Sequence, residues 1–235
     1  MQKIKIGLLG LGRTGKIVAE SLFNDNKFDL MFAVKKTAPK IQDYNYSVET
    51  KEVLPELIKQ FQPEVLIDFT VPKATLENIR YLKRNTGIVI ATTGFNKKQL
   101  TKLYKTKNIK MLYAPNISDG INVLMKACGV IDKLWPKADI EIIEQHFKHK
   151  IDAPSGTAKK IANIFDKEIP IHAVRAGGIV GIHEIIFAKP NQKIVLRHES
   201  FSKEVFAEGA KRAVLWLIKQ KNGFYEMKDM YNGAK

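Results

Sequence analysis

The densest group of chemistry-bearing side chains in this sequence is the run from Glu144 to Ala162, EQHFKHKIDAPSGTAKKIA. His146, Lys148, His149 and Lys150 stand almost side by side, and Asp152-Ala-Pro-Ser155-Gly156-Thr157 follows as the opening of an expected helix. Asp152 and Ser155 are natural N-cap residues and Pro154 suits a first turn, so capping alone accounts for those letters. It leaves the cations unexplained. Beside the positive end of a helix dipole they repel it and one another, unless the place is built for a carboxylate or a phosphate. Gly156 would let such an anion come close to the free N–H donors of the first turn. His146 is the side chain able to give or take a proton near neutral pH, and Lys150 is its electrostatic partner and the candidate proton donor. As isolated letters, the two would read as a hydrogen-bonded strand-end histidine and a solvated loop charge. His172, His183 and His198 have no ligand-like spacing with carboxylates or the lone thiol, so no metal is expected.

A second group lies near the start. Gly10-Leu11-Gly12-Arg13-Thr14-Gly15 is a G-x-G-x-x-G directly after an apolar strand pattern and at the head of a helical one. The first glycine permits the tight turn, the second lets the backbone approach a pyrophosphate, and the third lets helix and strand pack closely. About twenty residues further on, where an acid would bind ribose hydroxyls, the chain has Lys35 and Lys36. An ammonium attracts a 2′-phosphate, which predicts NADPH in preference to NADH; two solvated lysines at a strand end are the plainer reading.

These residues need elements to hold them. KIKIGLLG, DLMFAVKK, EVLIDFT, GIVIATTG and IKMLYAPN are short, nearly continuous apolar runs, as parallel strands covered on both faces should be. Helical patterns stand between several of them: RTGKIVAESLF, ETKEVLPELIKQF, KATLENIRYLKRN with Leu76, Ile79, Tyr81 and Leu82 on one side, and NKKQLTKLYKT. The alternation predicts an α/β fold with a Rossmann-like, doubly wound parallel sheet. After Asn116 the rhythm changes. One long helix, with Ile121, Leu124, Met125, Cys128 and Ile131 as its apolar stripe, precedes the strand ADIEIIEQHF. A helix from about Ser155 to Phe165 follows, then successive strands with a hairpin turn at Asn191-Gln192. This predicts a second α+β domain with a mixed or antiparallel sheet, spanning 119–203, for substrate binding and oligomerisation. The nucleotide-binding domain is expected over 1–118, completed by 204–235, in which VFAEGAKRAVLWLIKQ from Val205 reads as a helix.

Composition narrows the classes. At 235 residues, 45% of them hydrophobic, the chain can bury a real core. One cysteine, Cys128, rules out an intrachain disulfide and fits a reducing compartment, so the cytoplasm is expected. No apolar run is long enough to cross a bilayer, which predicts a soluble protein without membrane association. The excess of 39 Lys+Arg over 24 Asp+Glu gives a formal net charge of +15. It is dispersed and lacks a nucleic-acid motif with interleaved aromatics, so no nucleic acid is expected as a partner; attraction of small polyanionic ligands remains open.

The run EQHFKHKIDAPSGTA resembles the signature of the 4-hydroxy-tetrahydrodipicolinate reductase (dihydrodipicolinate reductase) family, E-x-H-H-x-x-K-x-D-A-P-S-G-T-A. Agreement extends to GLGRTG, IDFT at Ile67–Thr70, ATTGF at Ala91–Phe95, APNIS at Ala114–Ser118, VRAGGIVGIHE at Val174–Glu184 and FAEGAKRAVLWL. The resemblance implies NAD(P)H-dependent reduction of a cyclic dicarboxylate imine in lysine and diaminopimelate biosynthesis, by a two-domain enzyme that is commonly a homotetramer. It implies a catalytic pair of His146 and Lys150. Phe147, Ser155, Gly156 and Thr157 would fall in the substrate site, and Phe69, Thr70, Ala91, Thr92, Thr93, Ala114, Pro115, Asn116 and Ile117 would line the cofactor together with the glycine loop. Three departures stand out: Phe147 replaces the usual second histidine, Ala91 a usual glycine, and Thr14 a usual methionine. Phe147 leaves two further readings open, a related imino- or amino-acid dehydrogenase and a cofactor-binding regulator without turnover.

Overall fold

The computed structural model describes residues 2–37, 46–83, 86–106 and 108–232. Contacts divide the chain into two compact units, Met1–Ile117 with Phe206–Lys235, and Ser118–Val205. The first begins with strand β1 (Ile4–Leu9), helix α1 (Arg13–Phe23), β2 (Phe28–Lys35), β3 (Val48–Thr50), α2 (Leu54–Phe61), β4 (Val65–Asp68), α3 (Pro72–Asn78), β5 (Gly87–Ile90), α4 (Lys97–Tyr104) and β6 (Lys110–Tyr113). The second contains α5 (Asp119–Leu134), β7 (Asp139–His146), α6 (Gly156–Ala162), β8 (Ile171–Arg175), β9 (Gly181–Lys189) and β10 (Gln192–Ser200). The chain then returns through α7 (Glu204–Leu217), β11 (Gly223–Glu226) and α8 (Met227–Tyr231).

In the first unit the strands form one parallel sheet of order β11-β6-β5-β4-β1-β2-β3, a doubly wound Rossmann-like sheet that reverses direction between β1 and β4. Its strands are apolar throughout because alternate residues feed two cores. Ile6, Leu8, Ile67 and Val89 pack with Val18 and Leu22 of α1 and with Ala213, Val214 and Leu217 of α7. Leu9, Leu66, Ile88 and Ile90 pack on the other side with Leu54, Leu57 and Ile58 of α2 and Leu103 of α4.

Two helices are shorter than their patterns predict. In ETKEVLPELIKQF, Glu49 and Thr50 instead join Val48 in pairing with β2, and the helix begins only at Leu54, where Pro55 stands at its amino end. In KATLENIRYLKRN the helix gives way at Ile79 to a tighter 3-10 turn, which swings Tyr81 outward, 47% exposed, while Leu82 stays buried. The edge strand β11 and α8 lie beyond the run VFAEGAKRAVLWLIKQ expected to be helical, and were not read from the sequence. Gly223-Phe-Tyr-Glu has no apolar run, and it becomes a strand by pairing with β6.

The second unit carries a sheet of order β10-β9-β7-β8 in which β7 pairs antiparallel with β9 and parallel with β8, so it is mixed. The turn of the β9–β10 hairpin is Pro190-Asn191, and Gln192 already pairs with Lys189. Ile121, Leu124 and Cys128 of α5 and Ala158 and Ile161 of α6 cover one face, against Ile140, Ile142, Ile185 and Phe187; Met125 and Ile131 pack at the margin. Helix α6 stops at Ala162 rather than Phe165, because the N–H groups of Ile164 and Phe165 turn to the carbonyls of Ile161 and Ala162. Among the described residues no helix is long and apolar enough to cross a membrane.

Candidate active site

All strands of the first sheet end on one edge, and the ladder runs a residue beyond them. Gly10 N–H donates to Val34 O at 2.8 Å, Phe69 to Leu9 at 2.8 Å, Ala91 to Asp68 at 2.9 Å and Ala114 to Ile90 at 2.8 Å. This brings Gly10–Gly15, Lys35-Lys36, Phe69-Thr70, Ala91-Thr92-Thr93 and Ala114-Pro115-Asn116-Ile117 to the carboxyl edge, with the glycine loop at the reversal of strand order. The three glycines differ in kind. Gly10 has φ +94°, and a Cβ there would lie 2.6 Å from Phe69 O. A Cβ on Gly15 would lie 1.9 Å from Gly10 O. One on Gly12 would meet nothing within 4 Å. Gly12 is also the N-cap of α1, and no side chain caps the helix there. That cradle fits a dinucleotide pyrophosphate: two glycines are filled by protein, and the third leaves room for a ligand.

Asp68, which sequence reasoning passed over, joins two of these loops. Its buried Oδ1 accepts from Thr70 N–H at 2.8 Å, Thr70 Oγ1 at 2.6 Å and Thr92 Oγ1 at 2.9 Å. Burial pushes its pKa up against those hydrogen bonds. The available signal was one acid in the apolar run VLIDF.

In the second unit, the alternation that turns Ile140 and Ile142 of β7 inward does the same for Glu144 and His146. Glu144, fully buried, accepts from Arg175 Nη2 at 2.6 Å and Ser155 N–H at 3.1 Å through Oε1, and from Arg175 Nη1 at 3.0 Å through Oε2. His146 Nδ1 meets the same Oε2. Burial alone would raise Glu144, but the Arg175 guanidinium, His146 and the Ser155 N–H outweigh it and hold its carboxyl low. For His146 burial wins and lowers the pKa, despite the opposing pull of Glu144. Arg175, missed although it lies in the matching stretch VRAGG, also donates to Asp152 O at 2.6 Å, tying β8 to the loop.

Within that loop Lys150 Nζ lies 2.6 Å from Asp152 Oδ1, and Gly156 N–H donates to Asp152 Oδ2 at 3.2 Å. A single carboxylate thus bridges an ammonium and a helix-start N–H a few residues from His146. Phe147 is partly buried and its carbonyl accepts the Lys150 N–H at 3.1 Å, whereas Lys148 and His149 are exposed. Ser155 is committed inward. Its Oγ caps α6 by accepting Ala158 N–H at 3.1 Å and lies 3.4 Å from His183 Nε2. Thr157, partly buried, stands in the first turn of α6.

Burial lowers His183 from 6.5 to about 3. A histidine depressed in this way supports folding fully above its unfolded value, and the support is lost as pH falls toward the folded one. Urea midpoints are therefore expected to fall between pH 6.5 and about 3, and to fall less steeply in His183→Asn. Parallel curves for the two proteins would refute this.

One unit with a glycine cradle at the turning point of a parallel sheet, and another with a sheet bearing a buried His–Glu–Arg group and a loop ammonium, define a dinucleotide-dependent oxidoreductase of two-unit construction. Comparisons with known proteins give the family. Residues 4–117 match the family model for the N-terminus of dihydrodipicolinate reductase and residues 120–231 that for its C-terminus. The chain is 34% identical to 4-hydroxy-tetrahydrodipicolinate reductase of Buchnera aphidicola subsp. Cinara cedri, over 99% of this chain and 98% of that one. It is 36% identical to that of Caldanaerobacter subterraneus subsp. tengcongensis, over 93% and 94%. Dipicolinate-bound dihydrodipicolinate reductase from Paenisporosarcina sp. TG-14 superposes with a TM-score of 0.82 at 27% identity, covering 97% of this chain and 99% of that one. The chain belongs to the dihydrodipicolinate reductase family, NAD(P)H-dependent oxidoreductases of lysine and diaminopimelate biosynthesis.

Proposed function

We propose that the chain reduces 4-hydroxy-tetrahydrodipicolinate to tetrahydrodipicolinate with NADPH as the preferred donor, using His146 and Lys150 as the catalytic pair. The observation that carries this reading is the Asp152 carboxylate held by Lys150 Nζ and Gly156 N–H, since the same donors suit a carboxylate of the substrate. The named Paenisporosarcina relative binds dipicolinate, a planar dicarboxylate of the same class. NADPH, when bound at the Gly10–Gly15 cradle, supplies the hydride. The substrate loses its 4-hydroxyl as water to give the conjugated imine, and hydride arrival on that imine leaves negative charge on the far atom, which the Lys150 ammonium stabilises and protonates. Gly156 and Thr157 hold a carboxylate, and His146 gives or takes a proton beside it. Phe147 cannot hydrogen-bond a carboxylate; losing that charge-assisted contact costs about 1.5–3 kcal/mol of substrate affinity unless Lys148 or His149 replaces it.

The test is to follow NADPH absorbance with freshly generated 4-hydroxy-tetrahydrodipicolinate. Consumption supports the reading. NADPH binding without turnover would favour a regulator, and turnover only with other imines a related dehydrogenase; either result overturns it. Lys35 ends β2 and Lys36 follows it, exposed, on the cradle's edge of the sheet. Lys35→Glu with Lys36→Glu is expected to move preference toward NADH, read as the ratio of KM values, and an unchanged ratio would remove the lysines from cofactor selection. A cytoplasmic homotetramer is the setting we infer. On the sheet face away from α5 and α6, Val174 and Val195 are 41% and 40% exposed, which supports self-association through that face, and a monomeric sedimentation mass would count against it.

A further inference from the structure

We propose that Glu144 and Arg175 are positioning residues that lock the His146 ring with Nδ1 turned inward and Nε2 as the atom offered to substrate. This rests on His146 being catalytic and specifies which nitrogen acts. Both carboxylate oxygens of Glu144 are taken up: Oε1 by Arg175 Nη2 and the Ser155 N–H, Oε2 by Arg175 Nη1 and His146 Nδ1. An ionised carboxylate only accepts, so the His146 nitrogen facing it is the one carrying hydrogen, and in the neutral ring Nε2 holds the lone pair. Arg175 is itself anchored, donating to Val174 O at 2.7 Å and Asp152 O at 2.6 Å, so the clamp has little freedom to turn. The His183 ring meets His146 edge-on, with centroids 5.2 Å apart, and restrains it from another side.

The remaining nitrogen is kept approachable by an absence of side chain. Gly181, the first residue of β9, lies where a Cβ would come within 3.2 Å of His146 Nε2. Among the described residues Nε2 has no hydrogen-bond partner, whereas Nδ1 has one. A rigid inward anchor on one nitrogen and a glycine beside the other are what a proton-handling imidazole needs: one tautomer, one orientation and space for a reacting atom.

The experiment is nitrogen-15 NMR of histidine-labelled protein with the His146 signal assigned by its loss in His146→Ala, run beside steady-state kinetics. Wild type is expected to carry hydrogen on Nδ1 of His146 at a pH where the ring is neutral. In Glu144→Gln, whose amide can accept or donate, the signal should move to a mixture of tautomers, and kcat should fall at least about tenfold with the substrate KM little changed. Gly181→Ala leaves the clamp intact, so it should keep the Nδ1–H form yet lower kcat. It also keeps the proposal testable should Glu144→Gln not fold. A wild-type ring bearing its hydrogen on Nε2 overturns the proposal, as does Glu144→Gln with tautomer and kcat unchanged. Turnover that survived His146→Ala would instead overturn the catalytic assignment, while the spectrum would still read the clamp.

Discussion

Lys150→Met is expected to lower kcat by about 10²–10⁴-fold, the range that a positioned proton donor contributes, while NADPH still binds. Methionine keeps much of the length of the stem and removes the charge and all three donors. The fold should tolerate the change, because the Lys150–Asp152 pair is partly solvated, its side chains 22% and 50% exposed, and such pairs add little to stability. Loss of activity would then be loss of chemistry. His146→Ala should fall in the same direction, and the double variant should lose far less than the product of the two losses if the residues act as a unit. The decisive measurements are kcat for the dicarboxylate imine and Kd for NADPH by fluorescence titration. Lys150→Met with wild-type kcat would remove the ammonium from the reaction.

The glycine loop yields the second large effect, through a contrast. Gly12→Ala should leave thermal stability close to wild type, because the new methyl meets open space, and should weaken NADPH binding by tenfold or more if, as proposed, that space receives the pyrophosphate. Gly15→Ala should do damage before any ligand arrives. Its methyl would stand 1.9 Å from the Gly10 carbonyl oxygen, a backbone atom that has no flexible end to give way, so helix and strand must separate. A lower melting temperature for Gly15→Ala, with wild-type melting but poor NADPH affinity for Gly12→Ala, is the expected pattern. Tight NADPH binding by Gly12→Ala would place the pyrophosphate elsewhere.

Much of the fold was legible because its signals are local. The apolar runs and intervening helical patterns predict the parallel sheet, and the change of rhythm after Asn116 predicts a second sheet of different kind. Where reading failed, a pairing or a turn outweighed propensity. Val48–Thr50 has no strand signal beyond its place beside β2, and Gly223–Glu226 becomes a strand by adding to β6. The parallel pairing of β8 with β7, which makes the second sheet mixed, is also a long-range choice.

The candidate site divides along the same line. His146, Lys150 and the DAPSGT turn stand together in the sequence because one strand end and one helix start carry them, so their types and spacing were enough to predict an anion site and its proton chemistry. The three glycines likewise announced a nucleotide. Tertiary structure decided what each group does: it set Glu144 between Arg175 and His146, drew Ser155 inward, joined Asp68 to two loops, and left Gly12 open while closing Gly10 and Gly15. Burial and partners in an interior of low polarity determine which nitrogen carries a proton and which acid stays charged, and those partners come from strands and loops far apart along the chain.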